Sequence, residues 1–297
     1  MPKFSFAKVP LKAVPGYARG AWQVWSLVKG LNVSDLAEAA ERPFHLALIG
    51  TEDHTDLLAA RLALESAAPR DLGPSGPVDI SAYVKGYRTE AEVPVDSLML
   101  DAGTLTGSET ELAATLAGMA AAHPDLRLSL ARHVPAFRPA VATLLINEAS
   151  KENAKLAMLS ALPGIIPFTD FLLPMTSIGD MILLTKNQGF LLLSVAAAYG
   201  KEVDLKARTR ELLPVVGSAF GWRTIARQLI GLVPGGIGVA VKGAVAYAGT
   251  YTVGKSAMVY YSTGQTLSAP RLQQLYRDAL RDAVARVLPL TKRLKRS

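Results

Sequence analysis

The sequence predicts an α/β layer followed by an all-α region, and three observations carry that reading. Strand-like and helix-like segments alternate over residues 43–135. From residue 136 the texture becomes helical and apolar, broken mainly by prolines at 163, 167, 174, 214 and 234. Half of the 297 residues are hydrophobic but only 7% are aromatic, so the apolar content is mostly Ala, Leu, Val and Ile. That composition favours helix. Four segments follow: basic amphipathic N-terminal helices (1–42), a small α/β domain (43–135), an apolar helical domain (136–270) and a basic C-terminal helix or tail (271–297).

In chain order, residues 15–31 read as an amphipathic helix, with Tyr17, Ala21, Trp25 and Val28 on one stripe and Trp22 beside it. Docking on its own domain and lying at a membrane interface both satisfy this pattern. Residues 34–41 read as a short helix capped by Ser34 or Asn32. Next come a strand at 44–49, a helix at 55–66, the turn-rich "PRDLGPSGP", a strand within 78–84, a strand at 97–100 and a helix at 109–122. The alternation of Leu126, Leu128 and Leu130 predicts a last strand at 126–131.

Beyond residue 136 the uncharged runs never exceed fifteen residues, short of the 18–20 or so that a spanning helix needs. The best spanning segment is 228–254, interrupted by Lys242, at a cost of roughly 2.5–3.5 kcal/mol on insertion scales. Its "GGIGVAVKGAVAYAGTYTVG" allows close helix packing. The segment 177–200 is nearly all apolar, and Thr176, Asp180 and Asn187 fall on one narrow stripe. A compact bundle, with or without docking on a membrane surface, and full insertion both remain open.

Net charge is +7 and mean hydropathy +0.24. The charge is uneven: residues 1–42 carry +3, residues 271–297 carry +6, and the rest is slightly acidic. Basic ends suit anionic lipid, nucleic acid or plain solvation. No base-reading motif or aromatic–basic interleaving accompanies them, so nucleic acid is not expected. In the last segment Leu272, Leu275, Tyr276, Ala279, Ala283 and Val287 form a helical apolar stripe. Zero Cys excludes disulfides, thiolate metal sites and Cys nucleophiles, and fits a reducing compartment. The first residues lack a signal-peptide apolar core, so a cytoplasmic, membrane-associated location is expected.

The stretch "FHLALIGTEDHTDLL" has the layout of a phosphate loop, strand then glycine then helix. Such a loop reads GxxxxGK[ST], so that backbone amides and a Lys meet phosphate and a hydroxyl holds magnesium. Gly50 fills the first position, but Thr55 replaces the second glycine, Asp56 the lysine and Leu57 the hydroxyl residue. Glu52 and Asp53 add negative charge. At 4 Å and an effective dielectric near 20, one unit-charge pair is worth about 4 kcal/mol, so attraction becomes repulsion of that size. Asp101-Ala102-Gly103-Thr104 misplaces the glycine of a DxxG, and Ala131-Arg132-His133-Val134 stands where a guanine reader would follow the last strand. Nucleotide hydrolysis is therefore not expected, and no catalytic residue or cofactor is assigned. Glu52, Asp53, His54 and Asp56 are metal-ligand types, but their crowding in one loop fits an acidic helix start better than a metal site. None of His45, His54, His123 and His133 accompanies a glycine-flanked serine.

The segments "NEASKENAKLAMLSALPGIIP", "KNQGFLLLSVAAAYGKEVD" and "LIGLVPGGIGVAVKGAVAYAGTYTVGKSAMVYY" resemble the helical domain of the YcjF-like type that is appended to bacterial Era-like GTPases. The similarity covers about residues 136–265. Residues 43–135 resemble a G domain in layout alone, as a degenerate P-loop-like domain. The resemblance implies membrane association and a protein partner, either a GTPase paralogue or a second copy of this chain. It leads to a non-catalytic, pseudo-GTPase-like scaffold as the expected function. An enzyme with an unrecognised site or divergent nucleotide binding, and a soluble helical protein binding a hydrophobic ligand, stand as alternatives.

Overall fold

The computed structural model describes residues 33–64, 78–79, 82–159, 173–204 and 238–294. The expected N-terminal helix at 15–31, and the part of the 228–254 segment before residue 238, lie outside these residues. The described chain is mostly helical around one small sheet.

Helix α1 (Ser34–Ala40) buries Leu36 and Ala40, one turn apart. Its cap position is Val33 and not Ser34 or Asn32; Ser34 is the first helical residue, and its hydroxyl donates to Asp35 at 3.1 Å. Strand β1 (Leu46–Ile49) is entirely apolar because it is covered on both faces, as central parallel strands are. Helix α2 (Glu52–Arg61) follows at once, starting earlier than the expected 55.

The expected strand within 78–84 resolves into two of opposite direction. Strand β2 (Val78–Asp79) pairs antiparallel with β3 (Val84–Tyr87). The sequence hid β3 because Gly86 sits in its middle and Lys85 breaks the apolar run. Strand β4 (Leu98–Asp101) completes the order β2-β3-β1-β4, with β1 parallel to both β3 and β4. Leu46 faces Val84 on one side and Leu98 on the other; at the far end Ile49 lies between Tyr87 and Asp101.

After α3 (Ala102–Leu105), helix α4 (Glu109–Ala122) occupies the predicted residues, capped by the Ser108 hydroxyl on the Glu111 amide. The expected strand at 126–131 is instead helix α5 (Arg127–His133). Tertiary surroundings decide this: four consecutive residues, Leu128 to Ala131, are buried, which a one-sided edge strand would not allow. Arg127 makes a paired contact with Glu148, and the Ser129 hydroxyl donates to the Arg42 carbonyl, so α5 is fastened from several sides.

Among the described residues four long helices follow: α6 (Arg138–Leu159), α7 (Leu173–Ala198), α8 (Gly238–Thr263) and α9 (Ala269–Leu294). Helix α8 packs against α6, α7 and α9. Gly254 and Gly243 make this possible: a Cβ on Gly254 would lie 2.6 Å from Ile146 Cγ1, and one on Gly243 2.6 Å from Met158 Cγ. The last turns of α7 (Leu193, Ala197, Ala198) belong to the same core as β1, β3, β4 and α4. A second core joins α6, α7 and α8, and a third joins α8 to α9. On α9, Leu272, Tyr276, Ala279 and Ala283 are buried, following the stripe read from the sequence. Among the described residues, no helix is long and apolar enough to cross a membrane.

Replacing Gly254 with Ala is expected to cost on the order of 1–3 kcal/mol through overpacking. Gly249→Ala, with nothing within 4 Å of the added methyl, stabilises the helix by up to about 1 kcal/mol. Urea denaturation of the two variants checks this opposite pair of signs. Burial pushes the Tyr276 phenol up to about 12, whereas an unfolded tyrosine ionises near pH 10. Its contribution is therefore complete below pH 10 and is lost as pH rises towards 12. The Tyr276→Phe protein should lose less stability between pH 8 and pH 11 than the parent, measured by the same denaturation.

Candidate functional site at the carboxyl end of the sheet

In an open parallel sheet, ligands bind outside the carboxyl ends of the strands where the connections diverge. Here that point is β1: its outgoing chain leads to β3 on one side, and the chain leaving β3 returns to β4 on the other. Gly50 closes β1 with φ +154°, a conformation that favours glycine, and its amide donates to the Tyr87 carbonyl at 3.0 Å. A Cβ at Gly50 would touch the Ala102 Cβ at 3.4 Å and the His54 Cβ at 3.6 Å, so the ends of β1 and β4 lie close together.

The degenerate-loop residues do not form a loop. Thr51 is already the N-cap of α2, and Glu52 and Asp53 fill its first turn, where carboxylates suit the helix dipole. Thr55 is buried and its hydroxyl donates to the Glu52 carbonyl at 2.9 Å. Asp56 and Leu57 lie on the exposed side of the second turn. Asp56, which stands in the sequence where a phosphate loop has its lysine, lies one turn into α2, whereas Glu52 and Asp53 fill the first turn. The residues Ala131 to Val134, read as the place of a guanine reader, lie at the end of helix α5 and follow no strand.

Beside the end of β1, Asp101 ends β4 and caps α3. Its carboxylate accepts from the Gly103 amide at 2.9 Å, the Thr104 amide at 3.3 Å and the Thr104 hydroxyl at 2.8 Å. The Thr104 hydroxyl and these amides, with the nearby His54, hold its pKa below the usual carboxylate value. The amides at the start of α3 thus already receive an anion from within the chain.

No protein-family model matches the chain, and no curated protein or solved structure matches it either. The site must therefore be read from its geometry.

The four histidines are dispersed. His54 is exposed in the first turn of α2, and His123 ends α4. His133 stacks on Tyr83 with centroids 4.1 Å apart and lies 3.2 Å from the Glu41 carboxylate. His45 has Ser97 Oγ 2.7 Å from Nδ1 and the Tyr87 hydroxyl 3.2 Å from Nε2. That cluster ties His45 and Ser97, just before β1 and β4, to Tyr87 at the end of β3, and it was invisible in the sequence because the three residues are far apart. Among the described residues, no three His, Asp or Glu side chains are grouped to hold a metal ion.

Asp101→Ala should destabilise the protein by about 1 kcal/mol at neutral pH, the usual worth of a helix cap. Because the folded pKa is depressed, this contribution is present above the unfolded carboxylate pKa and lost as pH falls through the folded one. Thermal denaturation should show the two proteins converging below about pH 4.

Proposed function

We propose that the protein is a non-catalytic, nucleotide-free scaffold whose G-domain-like layer supports a helical domain that docks on an anionic membrane surface. The reading rests above all on the start of α2. The helix begins two residues after Gly50 with Glu52 and Asp53 in its first turn, leaving no length of loop to wrap a phosphate. The Asp101 carboxylate on the α3 amides supports it further, since a second anion there would meet an existing one. Docking is supported by the concentration of basic residues at the two ends of the chain. On α9, Arg271, Arg277 and Arg281 are exposed opposite the buried stripe, a layout that presents charge outward. The protein partner is a GTPase paralogue or a second copy of this chain.

Two measurements test the two halves of this reading separately. Calorimetry with GTP and magnesium should show no binding, for the parent and for Asp56→Lys alike, since Lys at an exposed second-turn position meets no phosphate cradle. Micromolar binding by either protein refutes the nucleotide-free reading. Flotation with vesicles containing phosphatidylserine should carry the protein at low salt and release it at high salt, because exposed charges are screened. Failure to float at low salt refutes the docking.

A further inference from the structure

Helix α8 carries a half-buried lysine at its contact with α6. Lys255 is half-buried against α6, and its ammonium donates to the Thr143 hydroxyl at 3.3 Å. It lies 3.7 Å from the Met258 sulfur and 5.8 Å from the centre of the Tyr251 ring. Among the described residues it forms no ion pair. Elsewhere on the bundle the contrast is plain: exposed Lys155 pairs with Glu152 at 2.6 Å. Burial lowers the Lys255 pKa, as expected when a charge loses water without gaining a counter-charge.

The side chains around it meet where α6 and α8 pack together. Tyr247, Tyr251 and Lys255 recur every fourth residue on α8, so they line one face, and Thr143 and Asn147 do the same on α6. All five are partly exposed. The Tyr247 hydroxyl donates to Asn147 Oδ1 at 3.3 Å, which leaves the Asn147 amide NH2 to donate elsewhere. An ammonium has three protons, and Thr143 accepts one. The cluster therefore offers several donors at one end. Tyr247 and Tyr251 stack at 5.9 Å with planes 13° apart, which gives it an aromatic wall. One ammonium balances one negative charge, which suits a single carboxylate at the Lys255 end better than a multiply charged phosphate.

We propose that Lys255, Thr143 and Asn147, with the stacked Tyr247 and Tyr251, form a groove between α6 and α8 that binds a monocarboxylate carried on a short apolar chain. The ammonium supplies the counter-charge, Thr143 and Asn147 orient the carboxylate, and the rings and Met258 cover the chain. This reading is independent of the membrane docking proposed above.

Octanoate, acetate and inorganic phosphate serve as probes on the full-length protein. The protein is produced with 13C- and 15N-labelled amino acids, which leaves the lysine ammonium unmodified, and the Lys255 signal, assigned through its bonded neighbours, is followed by NMR. Calorimetry measures binding to the parent, Lys255→Gln, Thr143→Val and the control Lys155→Gln. Octanoate is expected to shift the Lys255 signal at concentrations at least ten-fold below those needed for acetate. Lys255→Gln should weaken octanoate at least ten-fold, Thr143→Val several-fold, and Lys155→Gln not at all. An unmoved Lys255 signal, or unchanged affinity in Lys255→Gln, overturns the proposal. Acetate or phosphate matching octanoate overturns it too, because the apolar wall would then play no part. The NMR arm needs no substitution and stands even where a variant folds poorly.

Discussion

The bundle depends on how closely α8 approaches its neighbours. Ile146 is fully buried where α6 meets α8, and it fits there because residue 254 has no side chain. Interiors are packed too densely to absorb an extra methyl at 2.6 Å without movement. Once α8 is this close, its polar residues must find partners within the bundle. The Asn153 amide donates to the Thr250 hydroxyl at 2.8 Å, and the Asn187 amide donates to Asn153 Oδ1 at 2.8 Å. A sliding of α6, α7 or α8 along its axis would break these bonds inside an apolar bundle, where an unpaired polar group costs about 1–3 kcal/mol. The small residues set the distance between the helices, and the buried amides set their register.

The end of the sheet follows a related logic, with charge in place of volume. Helix starts attract anions, and the chain satisfies both α2 and α3 from its own sequence. Glu52 and Asp53 sit at the first, and Asp101 caps the second. Gly50 keeps a backbone conformation that favours glycine where β1 and β4 end almost in contact. The same glycine thus has a sufficient structural reason within the protein.

Strong periodic segments were legible in the sequence. Strand β1 is an unbroken apolar run, α4 has a clean cap in Ser108, and α9 shows its buried stripe at helical spacing. The failures have physical causes. Leu126, Leu128 and Leu130 alternate like a strand, yet α5 is packed on so many sides that helix burial wins. Strand β3 was masked by Gly86, whose lack of a side chain matters little in a covered sheet. The loop positions at Thr55, Asp56 and Leu57 were legible as a departure from a phosphate loop, but their place inside a helix depends on α2 starting at Glu52. The cluster around Lys255 was not legible because its residues come from two helices about a hundred positions apart.

The end of α7 reaches back into the sheet's core, where Leu193, Ala197 and Ala198 join residues of β1, β3 and β4. Arg132 strengthens that link by donating to the Lys201 carbonyl at 2.7 Å, just beyond the helix. The sheet layer is therefore not a cassette. Part of its core comes from a segment that follows it in the chain by some ninety residues, so during synthesis that core stays incomplete until α7 has emerged from the ribosome.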